Sequence, residues 1–109
     1  MRFFRSERVQ ELIRSELAKI IVREMEFGNA LVTVTDVEVD KKLEHAKVRV
    51  SVIPSAAGPG ALAALVKAAG HLQHLLMKKM NIKPMPRIAF ALDHGLENAA
   101  DVEKALLKK

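Results

Sequence analysis

The feature that most constrains the fold is the run His45–Ile53, where Ala46, Val48, Val50 and Val52 alternate with Lys47, Arg49 and Ser51. A period of two places the apolar side chains on one face of a strand and the polar ones on the other. Such a strand belongs to a sheet with one face on a core and one face open. The preceding run Leu31–Val39 (Leu-Val-Thr-Val-Thr-Asp-Val-Glu-Val) is rich in β-branched residues and reads as its partner. Asp40-Lys41-Lys42-Leu43-Glu44 forms a polar turn between them, and so short a connection implies an antiparallel pair.

Helices cover the buried face. From Ser6 to Glu26 the apolar residues Val9, Leu12, Ile13, Leu17, Ile20, Ile21 and Met25 recur three and four apart, the spacing of one helical face. Ser6 is the expected N-cap, and Gly28-Asn29 the stop. Ala61–Met80 is helical by composition, with Leu62, Leu65, Val66, Ala69, Leu72, Leu75 and Leu76 near one side. Gly70 interrupts it at a cost of about 1 kcal/mol relative to alanine, which predicts two short helices meeting at a kink. Pro54–Gly60 and Asn81–Pro86 read as loops, and Arg87–Leu92 as a last strand with Ile88, Phe90 and Leu92 inward. The order α-β-β-α-(kink)-α-β makes an α+β domain with a three-stranded sheet, helices on one face and a polar, basic surface on the other. A chain of 109 residues fits one domain, expected over residues 1–95, with 96–109 a short tail of a helical turn or two that frays at its ends.

The net charge of +5 is unevenly placed. Between His45 and Leu92 stand seven basic residues (Lys47, Arg49, Lys67, Lys78, Lys79, Lys83 and Arg87) and no acid. A block of this kind attracts polyanions. On the first helix, Arg5, Arg8, Lys19 and Arg23 fall in a stripe beside the apolar face, with Glu16 close enough to neutralise part of it through Lys19. With no Trp or Tyr and only four Phe, of which Phe90 is assigned to the core, there is no aromatic platform for bases. Recognition would lean on phosphate contacts and shape.

Other chemistries lack support. The absence of cysteine excludes disulfides, thiolate metal sites and thiol catalysis. His71 and His74 share a helix face, but zinc needs three or four ligands, so neither metal nor cofactor is expected. The serines lie in no nucleophile motif, and the glycines at 58 and 60 precede no P-loop lysine. The chain is read as no enzyme. It has no membrane-spanning run, and a cytoplasmic monomer is the simplest expectation.

Several patterns, taken in order, resemble the ribosome-binding factor A family. Arg5-Ser6-Glu7-Arg8-Val9 looks like the family's Arg-x-x-Arg-Val opening of its first helix, and Glu16-Leu17-Ala18 and Arg23-Glu24-Met25 match that helix's body. Leu31–Val39 and Ala46-Lys47-Val48-Arg49-Val50-Ser51-Val52 are similar to the first two strands. Ala68-Ala69-Gly70 fits the family's Ala-x-Gly kink, and Pro86-Arg87-Ile88-Ala89-Phe90 with Asp93 fits the last strand and its exit. The resemblance covers roughly residues 3–95. It implies a type II KH-like fold in which the Ala-x-Gly kink replaces the Gly-x-x-Gly nucleotide clamp. It also implies association with the free small (30S) ribosomal subunit and its 16S rRNA, a non-catalytic role in late assembly and in processing the rRNA 5′ end, and other assembly factors as further partners. A helix N-terminus at the kink would favour phosphate, with Lys67, Lys78, Lys79, Lys83 and Arg87 around it in sequence. The competing readings are another small basic RNA-binding or ribosomal protein, and a protein-interaction domain using the exposed sheet face.

Overall fold

The computed structural model describes residues 2–81 and 85–93, with side chains from Glu7 onward. Its elements are α1 (Arg2–Glu24), β1 (Leu31–Val39), β2 (His45–Ile53), a 3-10 turn (Ser55–Ala57), α2 (Gly58–Met80) and β3 (Arg87–Leu92). The strands form one sheet in the order β1-β2-β3. The β1–β2 pair is antiparallel and β2–β3 parallel, so α2 is the crossover of a β-α-β unit. The fold is the expected α+β, type II KH-like arrangement, with all three strands at the expected bounds.

Both helices pack on one face of the sheet. The inner face presents Val34, Val37, Val39, Ala46, Val48, Val50, Val52 and Ile88, and the helices answer with Val9, Ile13, Leu17, Ile20 and Ile21 from α1 and Ala61, Leu65, Leu72 and Leu76 from α2. Deleting a fully enclosed side chain such as Leu72 would cost about 2–5 kcal/mol. Two glutamines fasten helix to strand. The Val39 N–H donates to Gln10 Oε1 at 3.0 Å. Gln73 donates from Nε2 to the Pro86 carbonyl at 2.9 Å and accepts the Ile88 N–H at 2.8 Å, pinning the outer edge of β3 to α2.

Several expectations are corrected. Helix α1 already begins at Arg2, so Ser6 lies inside it and is not its N-cap position. Leu12 and Val66, placed on the apolar faces by spacing, are exposed. The Pro54–Gly60 loop is largely helical, because Pro59 sits in the first turn, where its missing N–H costs no helical bond. Above all, α2 runs unbroken through Gly70 to Asn81, whose left-handed backbone (φ 49°) ends it. A lone glycine lowers helix propensity without breaking the hydrogen-bond ladder, and packing on β3 and α1 holds the helix in one piece.

The β1–β2 turn is also less polar than its sequence. Leu43 adopts φ 59° and is nevertheless buried, a left-handed conformation tolerated because its side chain joins the core. Asp40 secures the turn by accepting the Glu44 N–H at 2.7 Å. That hydrogen bond, with help from His45, holds the Asp40 carboxyl below the usual aspartate range. Gly28 (φ 63°) makes the turn from α1 into β1.

Candidate nucleic-acid interface

Where α1 and α2 lie side by side, they form a groove lined by Lys19, Arg23 and Glu16 on one wall and Lys78 and Lys79 on the other, with Ile20 and Leu75 between. The helices run antiparallel along it. Glu24 near the end of α1 reaches His71 at 3.4 Å, whereas the earlier Glu16 and Lys19 share the groove with the end of α2. Cations from two sequence segments thereby become neighbours. Arg8 continues the line along α1, eleven positions before Lys19, or about 16 Å at 1.5 Å per residue. Lys67 continues it along α2, one turn before His71. Both are exposed.

The cations are not equally available. Lys19 Nζ lies 3.7 Å from Glu16, and Arg23 Nε is 3.2 Å from Glu24. Arg23, then His71, lowers the Glu24 carboxyl below the usual glutamate range. Among the described residues, Lys78 and Lys79 pair with no carboxylate. They occupy the last turn of α2, where the helix dipole favours positive charge. Long, exposed lysines over an apolar floor can meet phosphates at little desolvation cost.

The sheet's open face is different from expectation. Arg49 is held by both Asp36 and Glu38 of β1, the latter at 3.0 Å, and these bonds, Glu38's first, raise its guanidinium above the usual range. Lys47 stands in register with Glu38. The acid-free block is thus acid-free only along the chain: pairing with β1 sets carboxylates opposite its strand, and this face is largely self-neutralised instead of basic. Arg87, exposed at the start of β3, lies at that sheet's edge, away from the groove walls.

The remaining expected residues divide plainly. Arg5 lies in α1, its side chain outside the described ones, and Lys83 is outside the described residues, as is His94. Ala68 packs against the core, while a Cβ at Gly70 would meet no described atom within 4 Å, so neither marks a break between helices. There is consequently no helix N-terminus at Gly70 to receive phosphate. Positive potential near α2 comes from side chains alone. Helical spacing had singled out Lys19 and Arg23, and the acid-free block Lys78 and Lys79, but neither showed their meeting, which depends on the antiparallel packing. It missed Gln10, Gln73 and the Asp36–Arg49–Glu38 cluster, since nothing local marks a long-range side-chain bond. No described helix is long and apolar enough to cross a membrane.

Comparison with known proteins bears on this site. The sequence model of ribosome-binding factor A matches residues 5–106. The ribosome-binding factor A of Caldanaerobacter subterraneus subsp. tengcongensis is 34% identical over 106 residues, covering 94% of this chain and 87% of the relative. That of Thermomicrobium roseum is 38% identical over 105 residues, covering 94% and 81%. Among solved structures, the crystal structure of ribosome-binding factor A from Thermus thermophilus superposes with a TM-score of 0.70 at 24% identity, covering 80% of this chain and 93% of that one. A homology model of the Thermus thermophilus protein, fitted into the cryo-EM map of a 30S–ribosome-binding factor A complex, gives 0.63 at 25% identity, covering 75% and 88%.

Proposed function

The chain belongs to the ribosome-binding factor A family, and from that membership we propose that it binds the free small ribosomal subunit through its 16S rRNA. It assists late subunit assembly and the processing of the rRNA 5′ end, in the cytoplasm, as a monomer and without catalysis of its own. The relative fitted into a 30S complex supports the choice of particle. The observation that carries the RNA-binding part is the convergence of Lys19, Arg23, Lys78 and Lys79 on one groove, two of them without a carboxylate partner among the described residues. Arg8 and Lys67 extend the track. Arg49 and Lys47 serve the sheet face.

Neutralising about four phosphates gives a slope of log affinity against log salt of roughly −3 to −4. Cosedimentation with separated particles tests the assignment. The protein should travel with free small subunits and be left behind by assembled ribosomes. Equal recovery with both, or with neither, removes the maturation role. A salt slope near zero would instead favour a protein partner.

A further inference from the structure

One residue of the basic groove runs against its charge. Glu16 sets a carboxylate among Lys19, Arg23, Lys78 and Lys79. Its place on α1 explains why it is sunk there. It stands three residues after Ile13 and four before Ile20, both buried, so helical spacing lays its stem along the edge of the core. The side chain is only 20% exposed, against 64% for Glu11 on the same helix.

The neighbouring acids of α1 are hydrogen-bonded within the chain, Glu11 by Arg14 and Glu24 by Arg23. Glu16 receives no hydrogen bond from any described residue, and its one partner among them is the Lys19 ammonium at 3.7 Å. A carboxylate has room for about four hydrogen bonds, and a part-buried one has already given up some of its water. The groove therefore presents a strong acceptor whose donor comes from outside the chain, from water or from whatever fills the groove.

We propose that Glu16 makes the groove selective for RNA over DNA, by accepting a hydrogen bond from a ribose 2′-hydroxyl of the strand whose phosphates the cations hold. This rests on the reading of the groove as the RNA-binding site. The charges sort the parts of a nucleotide. Phosphates are repelled from Glu16 and drawn to the cations around it: Arg23 follows it by about 10 Å along α1, and Lys78 and Lys79 stand on the opposite wall. The space over the carboxylate is left to the neutral group that joins successive phosphates, the sugar. In RNA that sugar carries a hydroxyl able to donate, and in DNA it does not. A base is the poorer donor here. Bases held in a groove stack on aromatic rings, whereas the apolar floor of this one is Ile20 and Leu75. A deoxyribose over Glu16 would shield the carboxylate from water and offer nothing in return, so the penalty falls on DNA.

The test is the affinity of the full-length protein for a mixed-sequence RNA single strand and for the DNA strand of the same length and sequence, by fluorescence anisotropy at one salt concentration. Duplexes would differ in helix form as well as in the hydroxyl. The parent should prefer RNA by about tenfold or more, the worth of a hydrogen bond to a charged group. Glu16→Ala should melt close to the parent, bind DNA more tightly than the parent does, and bring the ratio of the two affinities near unity. Glu16→Gln, which keeps an acceptor without the charge, should give an intermediate ratio. A parent without preference, or a ratio unchanged in Glu16→Ala with both strands bound more tightly, overturns the proposal and reduces Glu16 to a counter-charge for Lys19. Equal weakening on both strands overturns it too, because the donor would then lie on a base. Lys78→Glu with Lys79→Glu keeps the two failures apart. If it binds RNA as well as the parent does, or if the parent binds neither strand, the groove is not the RNA site and the selectivity of Glu16 falls with it.

Discussion

Replacing Gly70 by alanine separates helix propensity from every other role of that position. Gly70 lies inside α2, ten residues from its last residue, with a helical backbone and an exposed surface. The added methyl meets no described atom within 4 Å, so no clash offsets the gain. What remains is the difference between the two residues in a helix interior, about 1 kcal/mol in favour of alanine, part of it from a less disordered unfolded chain. For a domain near 100 residues that raises the melting temperature by about 4–8 °C. Urea unfolding should show a higher midpoint at an unchanged slope. A lower melting temperature would refute the reasoning, because it would mean that the backbone at 70 is not helical in solution or that the Cβ strikes something. Subunit affinity measured on the same protein shows whether RNA backbone approaches this bare stretch of helix. A raised melting temperature with weakened binding would place Gly70 at the interface, and unchanged binding would place it outside.

Lys78→Glu with Lys79→Glu should fold, losing about 1 kcal/mol through the reversed interaction with the end of α2, yet give up most of its subunit affinity; melting and cosedimentation separate the two effects. Arg49→Gln should leave both affinity and salt slope unchanged, since that guanidinium is already engaged by Asp36 and Glu38; a slope reduced by about one would show that it meets phosphate after all. Gln73→Ala should cost roughly 2 kcal/mol in urea unfolding, because it strips partners from the Ile88 N–H and the Pro86 carbonyl, and no loss would mean that water replaces the side chain. Asp40 and Glu24 have folded-state pKa values below their ordinary ones, so their stabilisation is present above the unfolded carboxylate range and is lost as pH falls through the folded values. Asp40→Asn should therefore flatten the acid limb of stability against pH, and an acid limb identical to that of the parent would remove Asp40 from the account.

The strands were legible because their information is local. Each side chain of His45–Ile53 declares its face by parity alone, and the β-branched density of Leu31–Val39 needs no partner to be read. The helices were legible as faces but not at their ends. Nothing in Arg2–Arg5 announces a helix start, and Gly70 weighs against helix until the packing of α2 on β3 and α1 is added. The basic site was half legible. Helical spacing and the acid-free block put Lys19, Arg23, Lys78 and Lys79 among the candidates, but only the antiparallel helix pair brings them to one groove. Charge along the chain did not show the partners of Arg49, because a sheet brings together residues that the sequence keeps apart, here Asp36 and Glu38 of β1.

The parallel pairing of β3 has a consequence for the order in which the domain closes and opens. Strands β1 and β2 meet through a five-residue turn, so they can zip together early, whereas β3 reaches β2 only after the whole of α2 has crossed the sheet. The strand formed across the longest loop, six residues long and clasped on its outer edge by Gln73, is the natural first unit to detach. Lys78 and Lys79 follow Gln73 by one to two turns of α2. Detachment of β3 would loosen the wall of the groove that carries the unpaired lysines while α1, β1 and β2 stay folded. Hydrogen exchange would show it as Ala89 and Ala91 amides opening together with the last turn of α2, ahead of those of β2; equal protection across the sheet would mean that the groove opens only when the domain unfolds.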